Sequence, residues 1–140
     1  MKPWVLYALI SMVFAGLTSV IAKPGLSGIS SELGLTIRTG FVFVFVIGFA
    51  AMVVPSGQFA ALERSNYLWL GLSGLTTAVS WVFYYKAIKD GEVSTVALID
   101  KGSVVVSVVL AALFLREQIT VRTLVGGSLM ISGLLVIARK

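Results

Sequence analysis

The sequence has no cysteine and no histidine among its 140 residues, and only 12% of the residues are charged. The missing cysteines exclude disulfides and thiolate chemistry, and with histidine also absent the usual zinc sites and imidazole catalysis are excluded. Soluble domains carry about a quarter charged residues. A net charge of +5 without a cluster of basic residues does not indicate a nucleic-acid-binding surface. The whole sequence is 58% apolar and has a mean hydropathy of +1.01. This is the composition of an integral membrane protein.

Five apolar segments, each of about 18–24 residues, are long enough to cross the ~30 Å hydrocarbon layer of a bilayer. Proline, glycine and capping residues such as Ser65, Asn66 and Thr120 separate them. The first run is longer than the core of a signal peptide, so we expect it to be kept as a helix. We therefore predict an all-α membrane protein, a single domain over residues 1–140. It forms a bundle of five transmembrane helices, at about 4–22, 33–54, 67–88, 93–115 and 121–138.

The loops carry nearly equal positive charge on the two sides of the membrane. The side of the N-terminus has four basic residues and the other side has five: Lys2, Arg64, Arg116 and Arg122, against Lys23, Lys86, Lys89, Arg139 and Lys140. Because basic loops tend to face the cytoplasm, a difference of one leaves both a single and a dual orientation open. If Arg38 and Lys101 reach the second side, seven against four favours a cytoplasmic C-terminus.

Three charged residues lie inside the predicted spans. Arg38 is about 7–8 Å from the start of helix two, and Asp100 and Lys101 are about 10 and 12 Å from the start of helix four. Both helices begin on the same side, so the three charges share one leaflet. Arg38 and Lys101 have long stems that can extend to the headgroups. Asp100 has a single methylene and must face protein, a cation or water, with Arg38 or Lys101 as its expected partner.

Small and polar residues recur at helical spacing on three helices and suggest a substrate path between them. The stripes comprise Tyr7, Ser11, Ala15, Thr18 and Ala22 on helix one, Ser73, Thr77, Ser80 and Tyr84 on helix three, and Asp100, Ser103, Ser107 and Ala111 on helix four. Trp81 and Tyr85 flank the second stripe. The alternative is that small residues let helices pack closely, with hydroxyls bonded to carbonyls. The predicted substrate- or proton-binding residues are Asp100, Lys101, Arg38, Ser103, Ser107, Ser80, Trp81, Tyr84, Thr77 and Ser11.

The last helix carries no charge between Thr123 and Ala138 and is rich in glycine. Gly126 and Gly133 are seven residues apart, and Gly127 widens the same surface. Small residues at this spacing form a flat surface for another helix. A contact within the chain and a dimer contact both fit this pattern.

The last third of the chain has a recognisable order of features. One helix ends in Leu115-Arg116-Glu117, Thr120 follows, and a glycine-bearing helix completes the run that begins AIKDGEVSTVALIDKGSVVV at Ala87. This region resembles the end of an EamA domain, the five-helix unit of the drug/metabolite transporter superfamily. The resemblance implies export or exchange of small metabolites or drugs without an ATP site, and we expect no cofactor and no metal. It also matches Glu117 to a recurrent glutamate of the family, although at a membrane boundary beside Arg116 we expect this residue to cap the helix or pair with Arg122 instead of binding substrate.

Typical members of that family hold two such units in tandem, and an odd number of helices makes the second unit inverted relative to the first. This sequence contains one unit, one half of an inverted-repeat transporter. An antiparallel copy of the chain would complete the path, and the balanced loop charges permit such a homodimer. Expected partners are therefore the lipid bilayer, a small-molecule substrate and this second copy, with no nucleic acid. The expected location is a bacterial inner membrane, crossed several times.

The leading expectation is a secondary transporter that works as a dimer by alternating access. One alternative is a non-catalytic membrane subunit, or half of a heteromeric transporter, in which Asp100 and Lys101 only lock helices together. A channel is a weaker alternative, since one carboxylate per chain is little material for a filter ring. An enzyme is not expected, because Asp100 and Glu117 lie roughly 20 Å apart along helix four and cannot reach one substrate. Amino acids, amines and amphipathic drugs all suit the predicted cavity.

Overall fold

The computed structural model describes residues 2–137, and the regular structure of that part is entirely helical. Hydropathy and the absence of proline from the five predicted apolar runs explain this outcome. The helices are α1 Pro3–Gly25, α2 Ser31–Val53, α3 Arg64–Asp90, α4 Val93–Asp100, α5 Ser103–Phe114 and α6 Val121–Ile137, with a 3₁₀ turn at Ser56–Ala61 between α2 and α3. The predicted all-α membrane class is confirmed.

The helix starts show which side chains satisfy the first free amides. The hydroxyl of Ser30 accepts a hydrogen bond from the amide of Leu33 at 3.1 Å. Helix α2 therefore begins at Ser31, two residues before the predicted position. Thr120 accepts from the amide of Thr123 at 3.2 Å, as its predicted capping role requires. The predicted end of the last helix, Ala138, lies outside the described residues.

Helix α3 begins earlier than predicted, and its capping arrangement differs. The helix starts at Arg64, so Ser65 and Asn66 lie inside its first turn instead of before it. The side-chain oxygen of Asn66 accepts from the amide of Glu63 at 2.9 Å. Asn66 thus serves the helix start from the third helical position, as in one half of a capping box.

The predicted span at 93–115 is present as the apolar stretch Val93–Phe114, but its helix is interrupted in the middle. The amide of Gly102 donates to the carbonyl of Ile99 at 2.9 Å, and the amide of Val104 donates to Lys101 at 3.1 Å. These bonds span three residues instead of the four of an α-helix. Glycine has low helix propensity, and hydropathy alone does not register such a break.

Within residues 2–137, three stretches are long and apolar enough to cross a membrane by length and composition: Pro3–Gly25, Ser31–Val53 and the interrupted Val93–Phe114. The described part of α6, 17 residues, is apolar but shorter. Helix α3 is the longest at 27 residues and is less apolar, since it carries the predicted hydroxyl stripe. Among the residues described, the buried apolar side chains are Leu26, Tyr85 and Ile88.

The chain divides into two compact units. The central unit is Ile21–Asp90, and the terminal unit combines Met1–Val20 with Gly91–Lys140. In the central unit α2 packs along α3, and in the terminal unit α6 packs against both α4 and α5. Each unit therefore holds part of the predicted site on packed helices.

Lysines hold one end of the central unit together. The Lys23 ammonium donates to the carbonyls of Ile88 and Lys89 at 2.6 and 2.9 Å, which places a positive charge at the C-terminus of α3. Lys89 in turn donates to the carbonyl of Ile29. Lys86 pairs with Glu32 of α2 at 3.3 Å. The Lys86–Glu32 pair joins α2 to α3, and the other two contacts tie the end of α3 to α1 and to the segment before α2.

Candidate functional site

The interruption of the fourth apolar stretch leaves backbone oxygens without their helical donors. In a continuous α-helix the amides of Gly102 and Val104 would donate to the carbonyls of Leu98 and Asp100. Here both amides donate elsewhere, so these two carbonyls lose the bonds that an uninterrupted helix would supply. Polar backbone groups are tolerated at membrane depth only where protein or a wet cavity meets them.

Asp100 is the last residue of α4, directly at the interruption, within the apolar stretch Val93–Phe114. Its carboxylate oxygen lies 3.7 Å from the Lys101 ammonium, with 37% of the Asp100 side chain and 50% of the Lys101 side chain exposed. Of the two partners expected for Asp100, Lys101 is thus the one it contacts. The separation is that of an ion pair and exceeds the length of a hydrogen bond.

A cavity of about 350 Å³ lies along α5, within the terminal unit. Its lining residues are Ser103, Val104, Ser107, Val108, Ala111, Glu117, Gln118, Ile119 and Thr123. Three of them, Ser103, Ser107 and Ala111, form the face predicted from the spacing of small and polar residues. Asp100 and Lys101, predicted on or beside that face, are not among the described residues that line the cavity.

Glu117 reaches this cavity because the chain reverses directly after α5. Arg116 takes a left-handed conformation with φ of 55°, and the amide of Glu117 then donates back to the carbonyl of Ala111 at 3.3 Å. Glycine is the usual residue at such a helix end, so composition gives no sign of the reversal. Within the part of the chain that the structure describes, Glu117 forms no ion pair, and the alternative of pairing with Arg122 is not met.

Arg38 of α2 lies against two aromatic rings of α3 in the central unit. Its guanidinium carbon is 4.3 Å from the centre of the Trp81 ring and 5.8 Å from that of Tyr85. Tyr85 is buried and Trp81 is half-buried. The Nη1 nitrogen of Arg38 is buried and has no hydrogen-bond partner among residues 2–137. The sequence predicts Trp81 as a binding residue and Tyr85 only as a residue that flanks the helix-three stripe.

The position of Arg38 can be compared with the ends of α2 and α3. Its Cα is seven residues after Ser31, about 10 Å along α2. On the antiparallel α3, Tyr85 is five and Trp81 nine residues before Asp90, so Trp81 is the deeper ring. The guanidinium lies nearer to Trp81 than to Tyr85. Contact with the deeper ring favours the interior interpretation of Arg38 over extension to the headgroups.

The hydroxyls of the helix-one and helix-three stripes partly bond to their own helices. Thr18 donates to the carbonyl of Phe14 at 2.9 Å, and Thr77 donates to that of Ser73 at 2.8 Å. Such bonds fit the packing interpretation of these residues. Ser11 and Ser80 are exposed, and Tyr84 is half-buried. Ser11 belongs to the terminal unit and Thr77, Ser80 and Tyr84 to the central unit.

The glycine face of α6 has open space around it. No heavy atom from elsewhere in the described chain lies within 4 Å of the point where a Cβ would stand on Gly126, Gly127 or Gly133. Gly102 differs, since a Cβ there would lie 3.0 Å from the Ile99 carbonyl oxygen and 3.0 Å from a methyl of Leu134. The close approach of α6 to the interrupted stretch therefore occurs at Gly102, and not at the predicted glycine surface.

Comparison with known proteins agrees with these features. The EamA-like transporter family matches residues 2–139. A protein of a Sinorhizobium species, named "Uncharacterized transporter in cobO 3'region", is 36% identical over 140 residues, which cover 98% of this chain and 97% of that protein. No solved structure matches. With long apolar helices, charges inside them and a family match over almost its whole length, the chain belongs to the EamA-like transporter family and is a multi-pass membrane transporter of the drug/metabolite kind.

Proposed function

We propose that the protein is a secondary transporter that exports or exchanges small metabolites or drugs across a bacterial inner membrane. It works by alternating access, with two copies of the chain forming the complete path. The observation that carries the proposal is the interruption of the apolar stretch Val93–Phe114 at Asp100 and Lys101. Secondary transporters form their binding sites at discontinuous helices, where freed backbone groups and charged side chains meet substrate and coupling ions.

Asp100 is the group that binds a cationic substrate or carries the coupling proton. Its ion pair with Lys101, at 3.7 Å, is longer than a hydrogen bond, so an arriving cation or proton replaces a loose contact. The freed carbonyls of Leu98 and Asp100 offer further acceptors for a positive group. Lys101 neutralises the carboxylate while the site is empty.

The cavity along α5 supplies room for a small molecule next to this interruption in the sequence. Its volume of about 350 Å³ lies within the range of small-molecule pockets. Ser103, Ser107 and Thr123 bring hydroxyls to it, and Glu117 adds a second carboxylate. We assign Ser103, Ser107 and Glu117 to substrate contact during transport.

Dimerisation is supported by two facts. The Sinorhizobium protein is covered over 97% of its length by this chain, so a protein of one unit's length carries the name of a transporter. The face formed by Gly126, Gly127 and Gly133 is open in the described chain, which leaves it available for a second copy. An antiparallel arrangement would reproduce the inverted repeat of larger transporters.

The alternative in which Asp100 and Lys101 lock helices together has less support. The two residues are neighbours in the sequence, and their pair joins α4 only to the turn that follows it. A pair that fixes helix packing would connect two separate helices. Cross-linking of the purified protein separates the remaining alternatives, since a functional homomer gives a homodimer and half of a heteromer does not.

The substitution Asp100→Asn tests the proposal in proteoliposomes supplied with amino acids, amines or fluorescent amphipathic drugs under an imposed pH gradient. We expect transport, or its dependence on the gradient, to be abolished while the protein remains folded and membrane-inserted. Asp90→Asn is the matched control, because Asp90 is exposed at the end of α3, and it should transport normally. Unchanged transport by Asp100→Asn would remove Asp100 from the mechanism.

A further inference from the structure

Arg38 carries a positive charge that nothing in the described chain neutralises. It forms no ion pair or hydrogen bond there, and its Nη1 nitrogen is shielded from solvent. The acid closest to it along α2, Glu32, is paired with Lys86. Buried polar groups of native proteins are almost always satisfied, so an unsatisfied one signals a missing partner.

The aromatic rings determine where such a partner can bind. A guanidinium that stacks on a ring uses its face for the ring and keeps the N–H groups of its edge free. Trp81 lies at 4.3 Å from the guanidinium carbon, and Tyr85 at 5.8 Å. The rings hold the cation in place without neutralising it. The edge of Arg38 therefore presents a fork of donors next to an aromatic surface.

We propose that Arg38, Trp81 and Tyr85 form a binding site for the carboxylate of a small substrate that has an apolar, planar body. The two carboxylate oxygens accept from the guanidinium fork, a bidentate geometry that Arg supplies and Lys does not. The body of the substrate lies against the rings. This inference rests on the proposed transport function and narrows the substrate class to organic acids and amino acids with apolar side chains.

A lipid phosphate is the other oxyanion that a membrane offers. Arg38 is about 10 Å along α2 from its start, and its guanidinium lies nearer to the deeper of the two rings. A headgroup phosphate would have to descend to that level, whereas a small substrate enters it on the transport path. The observations thus favour a soluble carboxylate.

Fluorescence of Trp81 measures binding directly. Trp4 and Trp69 are 64% and 72% exposed, so replacing both by Phe leaves Trp81 as the single reporter. In maltoside detergent we expect benzoate to change this emission saturably, and methyl benzoate and benzylamine to bind at least about tenfold more weakly, since they lack the charge-assisted bonds. Equal binding of benzoate and its ester would overturn the inference.

Two Arg38 variants separate charge from geometry. Arg38→Gln should abolish benzoate binding, and Arg38→Lys should weaken it about tenfold because the ammonium cannot form two parallel bonds. Arg64→Gln, at the exposed start of α3, is the matched control and should bind normally. Circular dichroism and size-exclusion profiles check folding. Full benzoate affinity in a folded Arg38→Gln protein would also overturn the inference.

Added phosphatidylglycerol distinguishes the lipid source. We expect the benzoate dissociation constant to stay unchanged as this lipid is added. An increase of this dissociation constant in proportion to the added lipid would assign Arg38 to a headgroup phosphate and overturn the inference. Transport of any substrate without benzoate binding would overturn the inference and leave the proposed function. Arg38-dependent benzoate binding by a protein that transports nothing would overturn the proposed function and leave the carboxylate site.

Discussion

The two units of the molecule treat charge inside apolar helices in opposite ways. In the terminal unit, Asp100 and Lys101 are consecutive residues and form an ion pair at 3.7 Å. In the central unit, Arg38 has the rings of Trp81 and Tyr85 as neighbours and no acid. An opposite charge neutralises a cation, whereas a ring attracts it by about 0.5–2 kcal/mol and leaves its charge in place. The charges of Asp100 and Lys101 therefore balance each other, whereas the charge of Arg38 has no negative group beside it in the described chain.

This difference separates two kinds of binding. Under the proposed function, a ligand at Asp100 would displace Lys101 and so exchange one cation for another, which suits a coupling proton or an amine. A ligand at Arg38 displaces no charged side chain of the described chain, so an anion adds charge that the site lacks. The backbone follows the same division, because the stretch that holds Asp100 is interrupted and α2, which holds Arg38, is continuous.

The largest expected difference between the units is in stability after removal of a cation. Lys101→Met leaves Asp100 without a partner in an apolar stretch and should lower the stability by about 1–2 kcal/mol, since both side chains are partly exposed. Arg38→Met removes a charge that had no partner and should leave the stability equal or higher. Apparent melting temperatures in detergent measure both. Equal losses in the two variants would mean that Arg38 has an ionic partner.

A smaller effect should distinguish the interrupted helix from the continuous one. Gly102→Ala would place a Cβ 3.0 Å from the Ile99 carbonyl oxygen and from Leu134, and overpacking of this kind costs about 1 kcal/mol or more. Gly48→Ala in α2 meets nothing within 4 Å and should gain about 0.5–1 kcal/mol from reduced chain entropy. Thermal unfolding of the two variants should therefore shift in opposite directions. A gain of stability in both variants would show that the contact of α6 with Gly102 leaves room for a methyl group.

The positions of the helices could be predicted from the sequence because long apolar runs have few alternatives in a membrane. The cap at Thr120 was also predictable, since a hydroxyl before an apolar run has one dominant use. The interruption at Gly102 was not predictable, because it depends on backbone hydrogen bonds that span three residues instead of four. A hydropathy value averaged over a window of residues does not register such a change in hydrogen bonding.

The candidate site shows the same limit. The spacing of Ser103, Ser107 and Ala111 predicted a shared face, and the structure places all three on one cavity. The position of Glu117 on that cavity depends on the left-handed Arg116, which residue type does not indicate. The stacking of Arg38 on Trp81 needs the register of α2 against α3. That register brings together residues far apart in the sequence, such as Glu32 and Lys86, and local spacing contains no information on it.

The smallest expected effect concerns the left-handed residues of the two units. The central unit places a glycine there, Gly28 with φ of 74°, and the terminal unit places Arg116 with φ of 55°. A side chain in this region costs roughly 1 kcal/mol, which glycine avoids. Arg116→Gly should therefore raise the stability by up to about 1 kcal/mol, and Gly28→Ala should lower it by a similar amount. Melting temperatures in detergent test both changes, and a loss on Arg116→Gly would show that the arginine side chain stabilises the reversal that brings Glu117 to the cavity.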